Sequence, residues 1–287
     1  MLGYAPFAEP EGRTVPDLSH SSVPGDNESL PSHIDTSTAH PARVYDYWLG
    51  GKDNFEADRE AGKQAVRAYP DLVVAVRANR AFLGRAVRYL TDEAAIRQFL
   101  DIGTGIPSAN NTHEVAQAGA PESRVVYVDN DAMVLTHARA LLRGGTTAFL
   151  HADLQDVEGI LAKAAETLDF SKPIGVMLLA ILQYIPDSDD PYGLVSRLMV
   201  AVPPGSYLVI SHPASDINAE EVAESMREYN KRSPEQATPR SHAEVSHFFA
   251  GLELVPPGIV AIPGWHQDAP AAEASVAMWG GIARKDA

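Results

Sequence analysis

The sequence predicts an α/β protein in which a helical cap precedes a parallel sheet covered on both faces. Three observations predict it. From residue 97 onward, short apolar runs alternate with stretches of helical spacing, as expected of strands buried on both faces. Between residues 40 and 90 the apolar residues recur at helical spacing instead. The chain has 287 residues, 45% of them hydrophobic, enough for one large core.

Residues 1–33 carry Pro6, Pro10, Pro16, Pro24 and Pro31 among Ser, Gly and acids, with no apolar period. Such a segment cannot bury enough surface to offset its ordering entropy, so it reads as a disordered tail. Residues 34–90 read as a helical cap. Pro41 suits the first turn of a helix and Gly50-Gly51 its end. A longer helix starts after Pro70, with Leu72, Val76, Leu83, Val87 and Leu90 on one stripe. Arg77, Arg80, Arg85 and Arg88 lie largely off it. Residues 40–90 hold nine Lys/Arg against six acids, so the cap is locally basic on a chain of net charge −15.

Residues 91–287 carry the sheet. Its candidate strands are Arg97–Ile102, Arg124–Asp129, Thr147–His151, Ile174–Ala180 and Ser206–Ser211. Asn111–Ala118, Ala132–Leu142 and Val157–Leu168 read as helices between them. Gly258–Ile262 and Ser275–Ala283 read as a terminal antiparallel hairpin.

Composition excludes several chemistries. With no cysteine there is no disulfide, thiol nucleophile, thiolate zinc site or iron–sulfur cluster. The acidic balance argues against nucleic-acid partners, which need clustered Lys and Arg. No clustered His, Asp and Glu suggest a metal. The longest apolar run, Ile174–Leu182, has nine residues, against roughly 20 for a spanning helix. The first basic residue, Arg13, is followed by no apolar core, so no secretory signal is read and a cytoplasmic location without membrane partners is expected.

The strongest chemical signal is Phe99-Leu100-Asp101-Ile102-Gly103-Thr104-Gly105, a strand ending in an acid and entering a Gly-x-Gly turn. In open α/β sheets, ligands bind beyond the carboxyl ends of the strands, where glycine lets the backbone approach. A second strand ends at Asp129-Asn130, where a carboxylate can accept both hydroxyls of a ribose. A third ends at Asp153-Leu154, an acid for an adenine amino group beside an apolar side chain for the ring. The plainer reading makes each acid a helix cap. The nicotinamide pattern Gly-x-Gly-x-x-Gly is broken at Ser108, Pro107 has no N–H to offer, and Asp101 would repel a pyrophosphate. A nucleoside bearing an ammonium and a sulfonium suits these charges better.

These three strand ends resemble those of class I S-adenosylmethionine-dependent methyltransferases. The string His40-Pro41-Ala42-Arg43-Val44-Tyr45-Asp46-Tyr47-Trp48-Leu49-Gly50-Gly51-Lys52-Asp53-Asn54 is similar, more narrowly, to an S-adenosyl methyltransferase family long filed as a domain of unknown function. Ala78-Asn79-Arg80-Ala81-Phe82-Leu83 and the closing Trp279-Gly280-Gly281-Ile282 share that likeness, which runs from about residue 34 to 285. Relatives tend to carry His where this chain has Gln183. The resemblance implies a Rossmann-like sheet of seven strands, the last antiparallel, with S-adenosyl-L-methionine as cofactor. It places Asp101, Gly103, Thr104 and Gly105 at the methionine end, Asp129 and Asn130 at the ribose, and Asp153 and Leu154 at the adenine.

Arg43 and Asn54 flank the first cap helix and can grip a carboxylate of cofactor or substrate. Asn79, polar on an apolar and basic helix, joins the cofactor-binding set. Tyr45, Tyr47 and Trp48 offer aromatic faces to a sulfonium. Candidates for a general base are few: Tyr184 after the fourth strand and His212 after the fifth, with His40 and His113 near the expected crevice. The reading is methyl transfer to a small-molecule acceptor, anionic if the basic cap faces it. Two alternatives stay open: a non-catalytic module that binds S-adenosylmethionine or its product, and an NAD-dependent oxidoreductase.

Overall fold

A computed structural model describes residues 34–134, 136, 145–266 and 276–286. The expected tail, most of the helix expected over Ala132–Leu142, and Ser275 lie outside the described residues.

Three helices open the described chain. Pro41 starts α1 (Pro41–Leu49) and Gly50 closes it with φ 83°, its N–H turned back onto the carbonyls of Asp46 and Tyr47. α2 (Glu56–Ala68) has no counterpart in the sequence reading, because its buried face consists of small residues, Ala61, Gly62 and Ala65, rather than an apolar stripe. α3 (Leu72–Asp92) carries the expected stripe and buries Val76, Phe82, Leu83, Val87 and Leu90. Phe82, Leu83, Val87 and Leu90 pack with Phe99, Met177, Val209 and Trp265 on one face of the sheet. α3, the last helix of the expected cap, therefore packs on the sheet itself.

The strands are β1 (Gln98–Ile102), β2 (Arg124–Asp129), β3 (Thr147–His151), β4 (Gly175–Leu179), β5 (Tyr207–Pro213), β6 (Glu253–Leu254), β7 (Val260–Ala261) and β8 (Met278–Arg284). Their order is β3-β2-β1-β4-β5-β8-β6, with β7 also paired to β8. β1 to β5 are parallel, and β8 runs antiparallel to β5, β6 and β7. The described sheet thus has eight strands rather than seven, because two two-residue strands both pair with β8. β5 also runs two residues past its expected end, through His212 to Pro213.

Neighbouring residues of each central strand face opposite sides. Phe99, Val125 and Met177 join the cluster with α3, whereas Leu100, Val126 and Leu178 join Ile160 and Leu198 on the other face. Those last two residues come from α5 (Val157–Ala164) and α6 (Pro191–Ala201). Burial on both sides explains why the strands read as continuous apolar runs. The chain leaves β1 for β2 and β3 and returns to β4 on β1's other side, so β1 and β4 flank a topological switch point.

The cap is joined to the strand ends by buried charge. Asp58 is fully buried and accepts from the N–H groups of His40 at 2.9 Å and Phe55 at 2.8 Å. The Nε of Arg43 lies 3.4 Å from the same carboxylate and 3.8 Å from that of Asp131, which follows β2. Removing one member of a buried ion pair strands the other in a dry site. Asp58→Ala is expected to destabilise the protein by about 3–5 kcal/mol, read from the midpoint shift in urea unfolding.

Candidate functional site

The site begins at the turn after β1. Gly103 has φ 77°, and a Cβ there would lie 2.5 Å from Cγ1 of Ile181. Both backbone and space demand glycine. Gly105 has φ 68°, and a Cβ on it would meet nothing within 4 Å. Its N–H donates to Oδ2 of Asp129 at 2.8 Å, while the N–H of Gly103 donates to the Val128 carbonyl at 2.8 Å. The turn is therefore held against the end of β2.

A cavity of about 140 Å³ opens above these strand ends. Nine of the eleven cofactor-binding candidates line it: Asp101, Gly103, Thr104, Gly105, Asp129, Asn130, Asp153, Leu154 and Asn79. The cap contributes Tyr45 and His40, and the loop after β4 contributes Ile181 and Tyr184.

Burial sets the electrostatics. Asp101 accepts from the Thr112 hydroxyl at 2.6 Å, at the start of α4 (Thr112–Gly119). Desolvation nevertheless pushes its carboxyl up to about 6, and the neighbouring Asp129 adds to the rise. Asp129 is also raised by burial, against the pull of backbone N–H groups from Asp131 at 3.0 Å and from Gly105. It is only 8% exposed, so it is a structural link between turn and strand rather than a solvated tip. Asp153 is exposed, and its Oδ1 accepts from the N–H of Gln155 at 2.8 Å. Asn130 reaches Asp153 through Nδ2 at 3.4 Å.

Two cofactor candidates are engaged elsewhere. Arg43 donates to the carbonyls of Asp35 at 2.9 Å and Thr38 at 3.0 Å besides its ion pairs, and it does not line the cavity. Asn54 donates to Asp46 Oδ2 at 2.8 Å and to the Gly51 carbonyl at 3.1 Å, closing the loop between α1 and α2. Both are fasteners of the cap. The sequence spacing placed them at the ends of the right helix but could not say which way they point.

The base candidates change character too. His212 is 0% exposed and does not line the cavity. Its Nε2 lies 2.9 Å from Nη1 of Arg240. A guanidinium only donates, so Nε2 accepts and Nδ1–H donates to the Pro213 carbonyl at 3.0 Å. Burial pushes its pKa down to about 3. With its lone pair engaged, it is no general base. Tyr184 does line the cavity, but burial pushes its phenol up to about 12, making it a hydrogen-bond donor at neutral pH. His113 packs against Tyr127, with Nδ1 2.7 Å from the phenol oxygen, and His40 Nδ1 lies 3.0 Å from Asp131 Oδ2.

Two residues gain importance. Arg80 lines the cavity beside Asn79 and donates to the carbonyls of Ala109 at 3.1 Å and Asn110 at 3.2 Å, bracing the loop beyond the glycine turn. The sequence places it off the apolar stripe and inside the Ala78-Asn79-Arg80 string, but gives it no role. Ile181 carried no signal of its own, yet it is the side chain that makes Gly103 obligatory. Of the three cap aromatics, Tyr45 alone reaches this cavity. Asn79 Nδ2 donates to its hydroxyl at 2.9 Å, and Asn79 Oδ1 accepts from Ser211 at 2.6 Å.

A family model described as S-adenosyl methyltransferase matches residues 27–286. A DUF574 family protein from Streptomyces avermitilis is 48% identical and superposes with a TM-score of 0.84, over 88% of this chain and 99% of that one. A Thermobifida fusca protein proposed to be a methyltransferase is 40% identical with a TM-score of 0.84, over 88% and 97%. The plantazolicin methyltransferase BpumL shares the fold at 12% identity and a TM-score of 0.52, over 86% of this chain and 96% of that one. No curated protein matches the chain.

Gly103→Ala is expected to cost about 1–2 kcal/mol in stability from the left-handed backbone alone. It should also weaken S-adenosylhomocysteine binding at least about tenfold by displacing Ile181 or the turn, measured by calorimetry on the folded variant.

Proposed function

The chain belongs to the S-adenosyl methyltransferase family, and from that membership we propose that it transfers a methyl group to a small-molecule acceptor held between the cap and the strand ends. It is an S-adenosylmethionine-dependent methyltransferase. The choice among cofactors left open by the glycine turn falls to S-adenosyl-L-methionine.

The residues present fit that cofactor. One observation carries the fit: three strand ends present acids to one cavity, and the space where a Gly105 Cβ would stand is empty. Asp101 with Gly103, Thr104 and Gly105 would hold the methionine end, where a buried carboxylate attracts an ammonium. Asp129 and Asn130 would face the ribose, and Asp153 with Leu154 the adenine. Asn79 and Arg80 close the cavity from α3, Arg80 offering the charge for a carboxylate that Arg43 cannot offer. When bound, the cofactor supplies an electrophilic methyl on a sulfonium. The protein's part is orientation, worth about 7–11 kcal/mol in favourable systems, with Tyr45 and Tyr184 walling the site against water.

A small acceptor suits the enclosure and the net charge of −15, which disfavours a nucleic-acid substrate. An anionic one gains no support from three of the arginines of residues 40–90: Arg43 is buried among carboxylates, Arg59 donates to the Asn54 carbonyl at 2.7 Å, and Arg85 donates to that of Trp265 at 2.8 Å.

Label from methyl-tritiated S-adenosylmethionine is expected in the small-molecule fraction of a metabolite extract and not in added DNA, RNA or protein. Label recovered in a macromolecule would overturn the small-acceptor reading. Cofactor affinity is expected to depend on pH with a definite sign. Below about 6 the Asp101 carboxyl is neutral and loses its attraction for an ammonium, so affinity should fall by up to about tenfold per pH unit below that point. Calorimetry with S-adenosylhomocysteine between pH 7.5 and 5 checks this, and Asp101→Asn should flatten the profile.

A further inference from the structure

We propose that a second chamber beside the cofactor cavity is the acceptor subsite, and that it takes an uncharged aromatic ring bearing an O–H or N–H, received by Oε1 of Gln183. The inference rests on the methyltransferase reading above and adds to it the class of acceptor.

The chamber is about 60 Å³ against about 140 Å³ for its neighbour, and the two share Tyr45, Ala180 and Tyr184 in their walls. A group seated in the smaller one therefore abuts whatever fills the larger. It lies where α1, α2, α3 and α7 (Ala219–Asn230) converge on the ends of β5 and β8. Trp48, Leu72, Val76, Val222 and Met226 make its apolar surface, and no charged side chain lines it. A charged acceptor would lose its hydration there without a partner.

The walls are aromatic as well as apolar. Tyr45 and Trp48 stand edge-on with centroids 6.4 Å apart, Trp48 and Tyr229 tilt at 45° across 6.4 Å, and Tyr229 and Tyr184 tilt at 49° across 6.3 Å. Rings prefer such edge and offset neighbours, so this array offers matching surface to one more ring.

The polar groups of the chamber wall other than Gln183 Oε1 have partners within the protein. Ser225 donates to the Ala65 carbonyl at 3.0 Å, Trp48 Nε1 to that of Gly62 at 3.1 Å, and Tyr45 to that of Val76 at 3.3 Å. The Tyr229 hydroxyl has Ser233 and Tyr184 as neighbours, the Tyr184 hydroxyl has Tyr229 and the Gln183 side chain, and the Tyr69 hydroxyl accepts from the Ala277 N–H at 3.3 Å. Gln183 sits in the 3₁₀ turn Leu182–Tyr184 after β4 and is 6% exposed. Its Nε2 donates to the Ala180 carbonyl at 2.8 Å. That bond fixes the amide's orientation, since exchanging its ends would set two carbonyl oxygens against each other. Oε1 is left buried without a hydrogen-bond partner. A buried acceptor without a donor is costly to maintain, and an acceptor molecule carrying O–H or N–H supplies the missing partner. An amide does not take up a proton, so Gln183 orients the substrate rather than deprotonating it.

The test uses the full chain saturated with S-adenosylhomocysteine and four probes: phenol, aniline, toluene and benzoate. Binding is followed by tryptophan fluorescence, with Trp48 in the chamber wall. Phenol or aniline should bind about tenfold more tightly than toluene, the tighter of the two naming the donor atom, and benzoate should bind more weakly than either. Gln183→Leu should bring phenol and aniline to the level of toluene and leave toluene unchanged. Val222→Phe, which fills the chamber without touching Gln183, should abolish binding of all probes. Both variants should keep wild-type affinity for S-adenosylhomocysteine by calorimetry, which also shows that they are folded. Equal affinities for phenol, aniline and toluene in the wild type, an undiminished gap in Gln183→Leu, or benzoate matching phenol would overturn the proposal while the cofactor reading stands. Failure of the wild type to bind S-adenosylhomocysteine would overturn the cofactor reading itself, and this inference with it.

Discussion

The carboxylate of Asp129 takes one backbone N–H from the glycine turn after β1 and another from Asp131 in its own loop, and from these two hydrogen bonds the rest of the site is laid out. It fixes the turn over the end of β2 and leaves the Gly105 backbone facing open space. Asp131 then carries the connection outward, to His40 at 3.0 Å and to Arg43 at 3.8 Å, and Arg43 meets Asp58 inside the cap. A chain of alternating acids and bases so runs from a strand tip to the helices above it. Apolar packing sets the sheet, but these buried polar links set how the cap stands over the strand ends.

Much of this was legible in the sequence. β2 and β3 begin and end at the expected residues, because both are bounded by turn residues and carry unbroken apolar runs. The three acidic strand ends converge as the α/β rule requires, since parallel strands point their carboxyl ends the same way. α2 was hidden because helices that pack through Ala and Gly leave no large-residue stripe to count; a Cβ on Gly62 would stand 2.6 Å from the Tyr47 ring. β6 and β7 were hidden because a two-residue strand has no period.

The misplaced site residues share a physical cause. Arg43, Asn54 and His212 have the right chemistry for binding or proton transfer, and each is engaged by a partner distant in sequence or around a tight loop. Arg240, which fixes the tautomer of His212, lies 28 residues away and is itself buried, paired with Asp187 at 2.8 Å. Spacing along a chain locates a side chain on an element but not the company it keeps. Arg80, which the sequence places only off the apolar stripe of α3, stands in the cavity wall.

Tyr45 stands in the wall between the two chambers, and its hydroxyl is tied to the Val76 carbonyl and, through Asn79, to Ser211 on β5. Its ring is thereby a fixed partition rather than a swinging door. A change in the smaller chamber's size would then fall on the far wall, where Val222 and Met226 ride on α7, and would leave the partition untouched.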